Sequence, residues 1–211
     1  MSNEYTFHYF GLHARGDPIR TLLNHANVQF EDKRYNFDNW GAAKPSMPNQ
    51  QVPCLELPDG KKLGQSNAIL RLLGMKHGYY PSDPMEAYQC DSLCDGFADV
   101  QGKIYKPHFM PDGAEKDAFI KDIFENILPN WLKIAEKQLE HGKKFMVLDT
   151  LTTCDFWIGG LYTNYINNEA MSFAKDQWAA SLDNFPKFKA YGENFAAENE
   201  KWLKERPAAP I

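Results

Sequence analysis

The sequence predicts an α/β segment followed by an all-α segment, and three observations carry that reading. Through the first third, apolar residues recur first with period two and then with helical spacing. From residue 85 onward only the helical spacing remains. Between the two lies "YYPSDP", residues 79–84, whose Tyr, Pro, Ser and Asp mark a connector. The expected division is therefore 1–78, a linker at 79–84, and 85–211.

"EYTFHYF" alternates like a strand, and "VQFEDKRY" reads as a second one. Between them Ile19, Leu22, Leu23 and Ala26 fall at helical spacing, with Pro18 suited to a first turn. "VPCLEL", the turn "PDG" and "KKLG" then form a hairpin signal. In "QSNAILRLLGMKHG", Ser66 is the expected cap, Ile69, Leu72 and Leu73 make the apolar stripe, and Gly74 or Gly78 stops the helix. Beyond the linker, Leu93, Phe97, Val100 and Ile104 form one helical stripe. Ile123, Phe124, Ile127, Leu128, Trp131, Leu132, Ala135 and Leu139 form another, with a bend expected at Pro129. "FWIGGLYTNYI" and "FAAENEKWLKER" also read as helices, and "LTTCDFW" carries a capping box, with Thr152 as cap and Asp155 three residues on.

Composition narrows the function. A formal net charge of −5 argues against nucleic acid as the main partner. No apolar run approaches the roughly 20 residues that span a bilayer, and no basic-then-apolar leader opens the chain. Cys54, Cys90, Cys94 and Cys154 form neither a CxxC pair nor a zinc spacing; they read as reduced thiols of a cytoplasmic protein, with no metal.

Several short stretches could carry chemistry. Tyr9 ends the first strand, where its phenol is either core filler or faces a ligand. In "QQVPCLEL", a cis bond at Val52-Pro53 would turn the Val52 N–H and C=O outward toward a peptide-like ligand; a trans proline opening a strand is the plainer alternative. Gln65 and Ser66 stand at a helix N-terminus, which favours a carboxylate or phosphate, or is simply an ordinary cap. Trp40 and Lys44 are read as a loop offering an indole donor and a cation, against a packed Trp and a solvated Lys. Asp91, Asp95 and Asp99 share one helical face, as a solvated stripe or as a ridge facing a cleft or dimer axis.

Together "YFGLHARGDPIR", "QVPCLE", "QSNAILRLLG" and the late "FPKFKAY" and "KWLKERP" resemble the cytosolic glutathione transferases of tyrosine type, over nearly the whole chain. "QSNAILRLLG" is most like the Pi class; the Trp40-to-Lys44 spacing and the terminal "RP" are more like Sigma or Mu. The resemblance implies a thioredoxin-like N-terminal domain, a helical C-terminal domain, a homodimer, and glutathione as co-substrate with no permanently bound cofactor. By position, Tyr9 matches the catalytic tyrosine and Arg15 the arginine at the start of the first helix, steadying loop and site. Trp40 and Lys44 match binders of the glycyl carboxylate, Val52 before a cis Pro53 the backbone that pairs with the cysteinyl moiety, and Gln51 a further glutathione contact. Gln65 and Ser66 match binders of the γ-glutamyl end, Asp99 an acidic residue reaching across the dimer, and Arg71 and Asp91 a pair near its axis. Leu12, Tyr105 and Phe109 would border the site for a hydrophobic electrophile. Asn49 stands where Pi-like proteins place an aromatic key, so a more polar, Sigma-like interface is expected; His13 has no role on this reading. Three activities fit: conjugation of small electrophiles, prostaglandin-type isomerisation, and a non-catalytic, crystallin-like use of the fold.

Overall fold

The computed structural model describes residues 3–210; Met1, Ser2 and Ile211, the ends of the two expected segments, lie outside the described residues. In the first segment the order is β1 (Tyr5–Phe10), α1 (Asp17–His25), β2 (Phe30–Tyr35), α2 (Phe37–Ala43), β3 (Cys54–Glu56), β4 (Lys62–Gly64) and α3 (Ser66–His77). The four strands form one sheet in the order β2-β1-β3-β4. β1 pairs with β2 in parallel, so the chain must cross over between them, and α1 is that crossover. β3 pairs antiparallel with β1 and with β4, through the hairpin that "PDG" announced. Gly60 takes φ 83° in that turn, a value glycine adopts without side-chain strain.

The expected strands and helices α1 and α3 are all present. α2 is an addition: Asn36 and Asn39 form a reciprocal capping box, and the helix runs through Trp40. The Trp40–Lys44 stretch is therefore not the expected loop; Lys44 opens a short 3₁₀ turn at Lys44–Ser46. Ser66 is not a cap either. Gln65 occupies that position with φ 74°, no side chain bonds the free N–H groups, and Ser66 is the first helical residue.

The second segment is helical: α4 (Pro84–Tyr105), α5 (Ala114–Asp122), α6 (Leu128–Gln138), α7 (Thr153–Leu161), α8 (Lys175–Ala180), α9 (Pro186–Glu198) and α10 (Glu200–Glu205). The bend expected at Pro129 is a π turn at Ile123–Ile127, and Pro129 sits in the first turn of α6, where a missing N–H costs nothing. α7 is the buried centre; the Thr152–Asp155 box caps it, with Asp155 also accepting the Met146 N–H at 3.0 Å. α3 lies so close to α7 that a Cβ on Gly74 would fall 2.2 Å from Thr153 Cγ2. The connector is tied down as well: Tyr79 accepts the Thr153 N–H on its carbonyl at 2.9 Å and pairs its hydroxyl with His25 at 2.7 Å. All four cysteines are free and buried.

Candidate functional site

β1 delivers Tyr9 to the end of the sheet, where it is 7% exposed. Its Oη accepts the Arg15 N–H at 3.2 Å, and no acceptor for its own hydrogen occurs among the described residues. A Cβ on Gly16 would lie 2.3 Å from the Tyr9 ring, so only glycine lets the chain pass there without displacing the ring. Burial pushes the phenol's pKa above its ordinary value, against the Arg15 N–H and the charges of Arg15 and Arg20. Tyr9 is thus a neutral phenol with a hydrogen to donate.

The loop from Gly11 to Gly16 is held by Arg20, not by the side chain of Arg15. The buried Arg20 guanidinium donates to the carbonyls of Leu12 at 2.7 Å and Phe10 at 3.0 Å, and pairs with Asp32 at 3.0 Å. It also lies 5.6 Å from the centre of the Tyr9 ring, within cation–π range. Arg15 steadies Tyr9 through its main chain alone, and its side chain is exposed.

Below the loop is a second ionic group that sequence reasoning missed. Asp17, 2% exposed, receives the Arg206 guanidinium at 2.6 Å, and Arg206 also donates to Asn164 Oδ1 at 2.6 Å and the Thr163 carbonyl at 2.9 Å. Burial opposes the charge on Asp17, but Arg206, then His13 and Arg20, outweigh it and hold the carboxyl below its usual range. His13 sits 3.7 Å from Asp17, and burial, aided by Arg206, Arg20 and Arg34 against the pull of Asp17, lowers its pKa to about 4. His13 is therefore a neutral packing group beneath the loop. Nothing in a local stretch announces an Asp17–Arg206 pair; the only trace is the "RP" near the end of the chain.

Two concavities meet at Arg15. The smaller, about 40 Å³, is polar and is lined by Gln51, Val52 and Pro53 and by Gln65 and Ser66, together with Arg15. Here the Val52-Pro53 bond is cis. Among the described residues Val52 enters no main-chain hydrogen bond, so its N–H and C=O are open to solvent or a ligand. Asn49, Gln50 and Gln65 all have positive φ, at 52°, 54° and 74°. Such residues store of the order of 1–3 kcal/mol of strain each and cluster where a ligand is gripped. The larger concavity is an apolar cleft of about 630 Å³. Tyr9, Leu12, Tyr105 and Phe109 line it, and so do Phe10, Phe37, Lys106 and Met110, which the sequence had not singled out. Phe37 and Phe109 are 80% and 73% exposed, unusual for isolated phenylalanines and natural at the rim of an apolar site.

Trp40 and Lys44 line neither concavity. Trp40 packs half-buried against Phe10 and Tyr35, with ring centres 5.5 and 5.6 Å away, and Lys44 is exposed. The Asp91–Asp95–Asp99 stripe is mostly occupied: Asp91 pairs with Arg71 at 3.0 Å and accepts the Tyr80 hydroxyl, and Asp95 accepts the Asn67 amide. Asp99 is exposed and lines neither concavity. No group of three or more His, Cys, Asp or Glu side chains placed to hold a metal ion occurs among the described residues, and no described helix is long and apolar enough to cross a membrane.

A mixed four-stranded sheet with a cis proline, joined to a helical half that shares one cleft with it, defines the fold class, and comparison with known proteins says which family has it. The family model for the glutathione S-transferase N-terminal domain matches residues 5–74, and the C-terminal domain model matches residues 98–206. The chain belongs to the glutathione S-transferase family. It is similar to the Caenorhabditis elegans protein named "Probable glutathione S-transferase 7", at 35% identity over 98% of both chains. Among solved structures it is similar to a Nu-class transferase from Haemonchus contortus, at 30% identity, TM-score 0.84 and 98% coverage of both chains. It is also similar to prostaglandin synthase D of Nilaparvata lugens, at 26% identity and TM-score 0.83, over 97% of this chain and 99% of that one.

Proposed function

We propose that the protein joins the thiolate of glutathione to small hydrophobic electrophiles, with the Tyr9 hydroxyl as the group that stabilises the thiolate. The observation that carries this is the state of that hydroxyl. Its oxygen is engaged by the Arg15 N–H, its hydrogen is free, and Arg15 lines both the polar pocket and the apolar cleft. A free thiol titrates at about 8.5, so little thiolate exists at neutral pH. A hydrogen bond from a neutral phenol favours the anion, each unit of lowering being worth about 1.4 kcal/mol. The thiolate then attacks an electrophilic carbon in the cleft, forming a C–S bond as the leaving group departs or a π bond shifts.

On this reading the tripeptide pairs with the main chain of Val52 beside Gln51 and cis Pro53, and its γ-glutamyl end lies over Gln65 and Ser66. Lys44 and Trp40 take the glycyl carboxylate at the periphery. Leu12, Tyr105 and Phe109 receive the electrophile. The chain works as two units, 1–78 and 85–211, in a cytoplasmic homodimer. Asp99 reaches the neighbouring copy's glutathione, and the Arg71–Asp91 pair lies near the axis. A second reading, prostaglandin-type isomerisation, draws support from the likeness to the Nilaparvata lugens prostaglandin synthase. The test is a conjugation assay with 1-chloro-2,4-dinitrobenzene, run beside a prostaglandin H isomerisation assay. Tyr9→Phe should lower kcat about 10- to 100-fold, the worth of a hydrogen bond to a charged group, while glutathione affinity changes little. An unchanged kcat would refute the role of the phenol.

A further inference from the structure

We propose that His8 is a positioning residue for glutathione: through the Tyr35 hydroxyl it anchors a small core that carries α2 and Val52, and it loses that hold when its ring takes a second proton. This rests on the glutathione-binding reading and adds a pH control to it. Side chains alternate along a strand, so His8 points to the face of the sheet opposite Tyr9. There it is 2% exposed, with Nε2 2.9 Å from a Glu56 carboxylate oxygen and Nδ1 2.8 Å from the Tyr35 hydroxyl. A carboxylate only accepts, so Nε2 carries the hydrogen, and in the neutral ring Nδ1 accepts the Tyr35 O–H. One tautomer satisfies both partners.

Tyr35 leads from the sheet to the glutathione side. With Met47 and Cys54 it forms a core separate from the main one, and Trp40 and Ala43 of α2 and Val52 pack against it. The Tyr35 and Trp40 ring centres are 5.6 Å apart. The charged groups facing His8 are Glu56 on β3, Lys62 on β4, 3.6 Å from Glu56, and Lys33 on β2. Cys54, opposite His8 in the β1–β3 register, is neutral, because burial pushes its thiol up to about 11. Burial holds the His8 pKa below its ordinary value; Glu56 pulls the other way, and Lys62 and Lys33 act with burial. A second proton makes both ring nitrogens donors. Tyr35 then has no acceptor at Nδ1, and the core around it offers only hydrocarbon, ring faces and sulfur. A buried donor left unpaired is costly, so Tyr35 moves, and α2 and Val52 lose a fixed support. Affinity for the tripeptide is therefore full above the folded midpoint of His8 and is lost as the pH falls through it. By linkage, the bound tripeptide opposes protonation of His8 to the same extent.

The experiment measures the affinity of S-methylglutathione by calorimetry at pH 7 and pH 5. The probe has no thiol, and its carboxyl and α-amino groups, titrating at about 3.5 and about 8, keep their charges across that range. The wild type should bind about fivefold more weakly at pH 5, the worth of one ordinary hydrogen bond. His8→Asn, whose amide oxygen can accept the Tyr35 O–H and which does not titrate, should bind equally at both pH values. Tyr35→Phe should bind about fivefold more weakly already at pH 7, lose the pH dependence, and keep its kcat at saturating glutathione. In NMR titrations of the wild type, saturating S-methylglutathione should lower the His8 midpoint by about 0.7 of a pH unit, the same fivefold read from the other side. Equal wild-type affinity at the two pH values overturns the assignment, as does a loss at pH 5 that persists in His8→Asn or Tyr35→Phe. A wild type that binds S-methylglutathione at neither pH overturns the glutathione-binding reading itself.

Discussion

The polar pocket and the apolar cleft meet at one arginine yet are built from different materials. The pocket is made largely by main chain, and two of its lining residues, Asn49 and Gln65, hold a positive φ that non-glycine residues seldom adopt. Such geometry persists only where the surroundings over-determine it; the Arg20 and Asp17–Arg206 groups hold a different segment, the loop and helix start beside Tyr9. The cleft is made by side chains, several exposed at its rim, drawn from both halves of the chain. A fixed co-substrate suits the first kind of site and a variable one the second. Change should therefore be tolerated on the cleft side and punished on the other.

Substitutions can break or sharpen this contrast. The largest effect should come from Arg206→Ala, which strands a buried carboxylate at Asp17; removing one partner of such a pair costs about 3–5 kcal/mol, read by urea denaturation. Arg206→Met with Asp17→Asn should recover much of that loss. His13 comes next. Its folded pKa of about 4 lies below the unfolded value of 6.5, so the unfolded chain binds more protons in that window and stability falls as the pH drops. The advantage of the wild type over His13→Gln should thus be complete above pH 6.5 and shrink by about 2–3 kcal/mol on acidification to pH 4, seen in melts across that range. Gln65→Ala should weaken glutathione binding about fivefold, the worth of one ordinary hydrogen bond, as measured by calorimetry. The smallest effect belongs to the rim: Phe109→Ala should change kcat/KM for a small electrophile less than about twofold, since little of the side chain is packed. A tenfold loss there, or indifference at Gln65, would erase the distinction between the two sites.

How much of this was legible in the sequence follows the same division. Strands β1 to β4 and helices α1 and α3 were readable because period, turn residues and stops all lie within a few positions. Leu12, Tyr105 and Phe109 did converge on one cleft with Tyr9. α2 was missed because its start depends on an Asn–Asn capping box, a weaker signal than Ser or Thr followed by Glu. Ser66 was misplaced by one residue because local rules favour serine as a cap, whereas the structure holds Gln65 there at positive φ. The work given to Arg15 belongs mostly to Arg20, and both are arginines of one short stretch; burial, which tells them apart, is a tertiary property. Local sequence left Val52-Pro53 open between cis and trans, and only the resemblance chose the isomer the structure shows.

Arg206 and Asp17 stand 189 positions apart along the chain. During synthesis, the helix start below the Tyr9 loop waits for its lower anchor until the chain has been made through residue 206. The sheet and its neighbouring helices have their sequence-local contacts long before then. A nascent chain can therefore own a complete thioredoxin-like half whose loop beside Tyr9 is held by Arg20 but not yet by Arg206, and closing so long a loop carries an entropic cost that only the assembled helical half offsets.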